Sequence, residues 1–438
     1  MYAWRNRGAH VLPGDAALLF ADHQTTLPSI LKQAGYRTGC VGKWHLGLGR
    51  VETDSNRGIA AGSRGEGFNY SFIGHGEIDW NGVIGPGPRE VGFDYSFIIP
   101  ATADRVPCVY VENGRVVGLD PKDPIRVDYQ KLVGDDPTGE DAPYLLKMKR
   151  SHDDHGGTIV DGVSRIGYMT GGNSARWVDE KMAATLAGKA TTFIDASYEQ
   201  PFFLYFATSD IHVPRMPKAQ FAAKSLCGVR CDVIEQLDWT VGQVLETLER
   251  HKILDNTLIL FTSDNGPVVD DGYADGSVEN LHGHTPSGAL RGGKYTLYEG
   301  GTRIPFITYW HNHIPAGVSN ALISQTDLLA SMAALVGASL PRGSSFDSEN
   351  MLPALLGQSA QGRDILIEAD ARQRTAIREG RWKLLDLDLP GSPPRPIGKN
   401  CELYDLLTDP GETTNVAAQN PDVVNELMDK LQQIRHGT

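Results

Sequence analysis

The sequence predicts an α/β protein with a mostly parallel central sheet and helices on both faces, followed by a small C-terminal antiparallel α+β domain. Two observations carry this. Helix-patterned segments are twice followed by a continuous apolar run that ends in polar residues, the plan of a parallel sheet covered on both faces. After about residue 363 the pattern changes to short alternating segments, which read as an antiparallel sheet. The domains are therefore placed at 1–362 and 363–438 of the 438 residues.

The first element is TTLPSILKQAG (25–35), a short helix with Thr25 or Thr26 as N-cap, Pro28 in the first turn and Gly35 at the C′ stop. YRTGCV (36–41) follows as a buried strand, and VGKWHLG (41–47) puts Lys43 and His45 just past its carboxyl end. Ligands bind at that end of open α/β sheets. Being two apart, the pair face one side if the extended path continues. From 50 to about 165 the chain is rich in Gly, Pro and Asp, which implies long loops and short strands.

A helix through Phe193 and a break at Pro201 then lead into the strand FFLYFAT (202–208) and SDIHVPR, which carries His212. The next helix, 232–254, has an apolar stripe of Ile234, Leu237, Val241, Val244, Leu245 and Leu248. TLILFTSDNG (257–266) repeats the plan and ends on Asp264 and Asn265. Their oxygens suit Ca²⁺ or Mg²⁺, although calcium takes about 6–8 donors and two cannot complete a site. In the last domain, ILIEA, RTAIR and RWKLLD are strands, Glu379-Gly380 is a hairpin turn, PGSPPRPIG (390–398) is a loop and 421–435 is a helix.

Composition narrows the function. With 41 basic and 54 acidic residues the net charge is −13, which argues against nucleic acid as a partner. No run reaches the 18 or so apolar residues of a membrane span; ALISQTDLLASMAALVG (321–337) is interrupted by polar residues. MYAWRNRGAH lacks the apolar core of a signal peptide. Five cysteines at irregular spacing make neither a disulfide framework nor a zinc site, and Cys227 and Cys231 read as ordinary small residues.

The segment GALRGGKYTLYEGGTR (288–303) fits the phosphate-loop spacing in its first seven residues, yet Tyr295 stands where that motif needs a hydroxyl for Mg²⁺. What remains is a backbone-exposed loop whose Arg291 and Lys294 suit a tetrahedral oxyanion. RSHDDHGG (150–157) reads as a solvated acidic loop, and the pairs His282/His284 and His311/His313 lack a third ligand. There is no G-x-S-x-G elbow.

Assembled, these segments resemble the type I sulfatases of the alkaline-phosphatase-like superfamily. GYRTGCVGKWHLG (35–47) is similar to their second signature. DIHVPR, FTSDNGP and RGGKYTLYEGGTRIPF follow in the family's order, and AIREGRWKLL and ELYDLLTDPGETTN resemble its C-terminal sheet domain. The resemblance implies a sulfuric ester hydrolase in which Lys43 and Lys294 bind sulfate oxygens, with Arg291 beside them. It implies that His45 supports the nucleophile, His212 protonates the leaving alcohol, and Asp264 and Asn265 ligate Ca²⁺ rather than Mg²⁺.

It also implies a formylglycine nucleophile, made from the Cys or Ser of C/S-x-P-S-R, and an Asp pair as further calcium ligands. None of Cys40, Cys108, Cys227, Cys231 or Cys401 begins such a motif, and SPPR (392–395) matches it only in part. The chain is therefore expected to begin after that signature, to be inactive as it stands, and to crowd Lys43, His45, His212 and Lys294 with too little anion, which lowers the histidine pKa values. The expected partner is a sulfated saccharide or small molecule, with Tyr70, Trp80 and Tyr95 stacking on sugar rings. A secreted, periplasmic or lysosomal setting follows from the resemblance alone. The rival readings are a phosphoryl hydrolase of the same superfamily and a non-catalytic protein that binds sulfated ligands.

Overall fold

The computed structural model of the protein describes residues 2, 5, 11–51, 75–388 and 400–436. Tyr70 and the Pro-rich loop with SPPR lie outside them. The chain divides into two compact units, one of Val11–Leu254 with Val269–His284, the other of Met1–His10, Asp255–Val268 and Thr285–Thr438.

The first unit opens with α1 (Leu27–Gln33), whose N-cap is Thr26. The Thr26 hydroxyl accepts from the Ser29 amide at 3.2 Å, and the Ser29 hydroxyl accepts from the Thr26 amide at 3.0 Å, satisfying two end donors reciprocally. Gly35 ends the helix at φ +90°, a conformation that favours glycine. β1 (Arg37–Lys43) then runs through the core, with its five central residues buried.

β1 lies parallel to β2 (Tyr95–Ile99) on one side and to β5 (Phe202–Ala207) on the other. β2 continues antiparallel into β3 (Val111–Glu112) and β4 (Arg115–Val116), giving the order β5-β1-β2-β3-β4. The sheet is thus parallel at its heart and antiparallel at one edge. Its register aligns the strand ends. Gly42 pairs with Ala207, and Lys43 with Ile99, so the carboxyl ends of three parallel strands are level. Among the described residues β5 is paired on one side only.

Helix α2 (Met182–Asp195) covers β1, with Phe193 against Gly39, where an added Cβ would lie 2.6 Å from the ring. Val41, Trp44, Phe97, Ile98, Leu186 and Ala190 share this core. α3 (Gly228–Arg250) packs beside α2. Its predicted stripe is only half-buried up to Leu248; the buried residues are Arg230, Cys231, Asp232, Val233, Gln236, Thr240, Thr247 and Leu248. Gln236 and Thr240 are polar there because both donate to the Asp210 carboxylate.

Two expectations need correction here. Cys227 and Cys231 form a disulfide at the start of α3, where a Cα–Cα distance of 5.5 Å permits a bridge. Trp80 is buried in the core, and Tyr95 stacks on Phe193 and donates to Glu112, so neither is a sugar platform.

In the second unit β6 (Ile259–Thr262) pairs antiparallel with β7 (Phe306–Tyr309). α4 (Leu328–Leu335) follows. Then β8 (Ile365–Ala369), β9 (Thr375–Glu379), β10 (Trp382–Asp386) and β11 (Cys401–Asp405) make an antiparallel sheet in sequence order. Ile367, Ile377, Leu384 and Leu403 pack with Val424, Leu427 and Leu431 of α5 (Pro421–His436), a period-2 face meeting a period-3.6 stripe. Among the described residues no helix is long and apolar enough to cross a membrane.

Candidate active site

Backbone geometry decides whether Lys43 and His45 of VGKWHLG share a side. Gly42 has φ +104°, and a Cβ there would sit 1.8 Å from the Ala207 carbonyl oxygen, so only glycine lets β5 approach. Trp44 is buried, donates its indole N–H to the Gly47 carbonyl at 2.7 Å, and meets Phe93 edge-on. It anchors the turn. His45 has φ +50°, so the extended path stops before it, and strand alternation does not put Lys43 and His45 on one face. Its place is set instead by its amide, which donates to the Pro100 carbonyl at 3.0 Å.

The His45 Nε2–H donates to the Leu12 carbonyl at 2.7 Å, which leaves Nδ1 as the acceptor. Its pKa lies well below 6.5, first because the ring is buried and then because Arg105 and Lys43 add positive charge. The depression matches the direction expected from crowded cations, but burial leads it.

His212 follows β5 in a turn where Ile211 has φ +77°. Its Nδ1–H donates to the Val213 carbonyl at 2.8 Å, and its Nε2 lies 4.0 Å from Asp271 Oδ2. Asp210, two residues earlier, accepts from Gln236 at 2.7 Å and Thr240 at 3.2 Å, the polar residues on the deep face of α3.

Asp104, Arg105 and His155 were missed from the sequence. Asp104 is buried and receives Arg105 Nη1 at 2.9 Å on both oxygens. His155 bonds Asp154 through Nδ1 at 2.8 Å, and its Nε2 stands 3.5 Å from Asp104. Burial alone would raise the Asp104 pKa; Arg105, then His155 and His212, hold it well below 3.8 instead. Burial likewise works against a charged His155, yet Asp104 and Asp154 outweigh it and push the ring up to about 9. Asp104 thus supplies anion beside His45, His155 and His212, which corrects the expected shortage. A signal existed: Asp104 follows the apolar strand FIIPA as Lys43 follows GCV. Nor is 150–157 solvated throughout, since His155 is buried. His152, Asp154 and His155 bring one ligand atom each within 4.8 Å of one another. A ring that keeps its proton to about pH 9 opposes ligation there.

In the other unit the loop that carries Lys294 is hydrogen-bonded to the residues just after Asp264 and Asn265. The Lys294 amide donates to the Pro267 carbonyl at 2.9 Å and the Gly266 amide to the Gly301 carbonyl at 2.9 Å. A Cβ at Gly266 would lie 1.9 Å from the Gly300 oxygen. Asn265 donates its Nδ2 to the Gly266 carbonyl at 2.9 Å, and its Oδ1 and the Asp264 carboxylate are hard oxygens on adjacent residues. By type these donors fit a hard divalent cation. Arg291 lies over the Tyr298 ring at 3.9 Å and donates to the Tyr404 hydroxyl and the Glu412 carbonyl, each at 2.9 Å. It braces the loop. Glu299 adds a buried bond to Lys383 at 3.0 Å, fastening the same loop to the C-terminal sheet.

The first unit thus sets a lysine and two histidines at or just after the ends of parallel strands, and the second sets two hard-oxygen side chains after an apolar strand. Residues 18–338 match the sulfatase family model. An N-acetylgalactosamine-6-O-sulfatase of Bacteroides thetaiotaomicron is 46% identical over 445 residues, covering 99% of this chain and 81% of that protein. Human arylsulfatase A is 32% identical over 255 residues, 54% of this chain and 48% of its own. A solved 6S-sulfatase of Bacteroides thetaiotaomicron, described with the metabolism of multiple glycosaminoglycans, superposes with a TM-score of 0.90 at 46% identity, covering 99% of this chain and 86% of that one. The chain belongs to the sulfatase family of sulfuric ester hydrolases, with the alkaline-phosphatase-like fold. A divalent metal and formylglycine are typical of that family.

Proposed function

We propose that this chain serves hydrolysis of a sulfate ester on a carbohydrate, with a sulfated N-acetylhexosamine as the substrate class. The observation that supports the reading is a pair of histidines after adjacent parallel strands, His45 with Nε2 and His212 with Nδ1 bonded to a backbone carbonyl, joined to the 46% identity with an N-acetylgalactosamine-6-O-sulfatase. Lys43 and Lys294 neutralise sulfate oxygens. His45, neutral and with Nδ1 accepting, takes a hydrogen bond from the attacking group. His212, as the imidazolium with Nδ1–H on the Val213 carbonyl, gives its Nε2 proton to the leaving oxygen and is left as the neutral ring. Asp264 and Asn265 are two ligands of Ca²⁺, which when bound supplies further positive charge to the sulfate. Arg291, exposed and held by Tyr404 and the Glu412 carbonyl, keeps the Lys294 loop in place and offers its remaining donors to the substrate.

The test is leaving-group dependence. His212→Ala in the active enzyme carrying this sequence should slow a sugar sulfate far more than an activated aryl sulfate, because only the former needs a proton donor. Equal losses on both would remove His212 from that role. Phosphate-ester turnover above sulfate-ester turnover would replace the reading with that of a phosphoryl hydrolase.

A further inference from the structure

The loop that follows Val268 carries two carboxylates toward the histidine end of the first unit. Asp271 Oδ2 stands 4.0 Å from His212 Nε2, both side chains being partly exposed, and Asp270 Oδ1 stands 4.0 Å from His152 Nε2. The loop is built rather than loose. Buried Arg215 donates to the Val269 carbonyl at 3.0 Å, to Asp275 at 2.7 Å and to Ser277 at 3.0 Å. The Ser151 amide donates to the Gly272 carbonyl at 2.9 Å, and the Ser151 hydroxyl to Asp270 at 2.7 Å. Gly272 has φ +103° and lies over His155, where a Cβ would come within 2.1 Å of the ring. His155 in turn is held by Asp104 and Asp154.

A sulfate ester joins one anionic group to an alcohol. The atom that receives a proton from His212 is the bridging oxygen, so the alcohol's carbon skeleton begins beside Nε2, where Asp271 stands. Ionised carboxylates only accept hydrogen bonds, which suits ring hydroxyls, and they repel a second anion. We infer that Asp271, with Asp270 beyond it, forms the subsite for the sugar and selects a residue whose hydroxyls next to the ester are free over one bearing a second sulfate. This rests on the proposal that His212 faces the leaving oxygen of a sugar sulfate.

Isothermal titration of the chain tests it with N-acetylgalactosamine 6-sulfate, the 4,6-disulfate and 4-nitrophenyl sulfate. The disulfate should bind about tenfold more weakly than the monosulfate, as one extra like-charge contact near a protein surface implies. Asp271→Asn should shrink that ratio to about threefold or less, while Asp271→Glu, which keeps the charge, retains it. If Asp271→Asn does not fold, Asp270→Asn carries the same expectation in smaller measure. A ratio near one in the native chain, or one unchanged in both Asn variants, overturns the subsite alone. Binding of nitrophenyl sulfate with neither sugar overturns the carbohydrate reading and the subsite together.

Discussion

The turn after β1 and the loop at 150–157 each place a histidine near Asp104, and the two rings end in opposite charge states. His45 gives its Nε2–H to a carbonyl, and burial followed by Arg105 and Lys43 holds it neutral. His155 lies between two carboxylates, which overcome burial and keep it protonated. Burial pushes both rings the same way; the sign of the nearest charge decides the outcome. One thereby keeps an accepting Nδ1, and the other is a fixed cation under the Gly272 turn.

The largest expected effect comes from the group both rings share. Asp104→Asn leaves Arg105 and His155 without their buried anion and should cost about 3–5 kcal/mol in urea unfolding. The His155 pKa should fall with it, as followed by NMR of the ring protons. An unchanged unfolding midpoint would make Asp104 a bystander.

The second effect is a pH dependence that sharpens the contrast. Because the folded pKa of His155 is raised to about 9 from 6.5, its contribution is complete below 6.5 and is lost as pH climbs through 9. The upper bound is about 3 kcal/mol at 1.36 per unit. The native chain minus His155→Gln should show this loss in unfolding free energy between those pH values. A flat difference would show that the ring is not held charged.

Lys43→Met addresses the other side of the comparison. Removing one cation should raise the His45 pKa, yet leave it below the ordinary value because burial is the leading cause. A return to the ordinary value would make charge the leading cause. The smallest effect belongs to Thr26→Ala, which removes the cap of the helix feeding β1 and should cost about 1 kcal/mol, leaving both histidine titrations as they were.

Much of this was legible one residue at a time. The cap at Thr25 or Thr26, the stop at Gly35, the strands leading to Lys43 and His212 and the hairpin at Gly380 rest on local rules; the structure caps the helix with Thr26 and runs the first strand on through Lys43. The reading failed where partners are distant in sequence. Asp104 and His155 are 51 positions apart, and neither alone is more than a loop residue. Gln236 and Thr240 break the apolar stripe of α3 because they answer Asp210, about 26 and 30 positions away.

By itself the sequence determined the α/β class, the order of helices and strands, and which side chains stand at strand ends, because periodicity, caps and glycine stops act within a few residues. Tertiary structure alone decided the antiparallel edge of the first sheet, the bracing of Arg291 by Tyr404, the bridge between Cys227 and Cys231, and the charge on each histidine. Those depend on which groups share a low-dielectric space, and a hydrogen bond or ion pair across dozens of residues leaves no period in the chain.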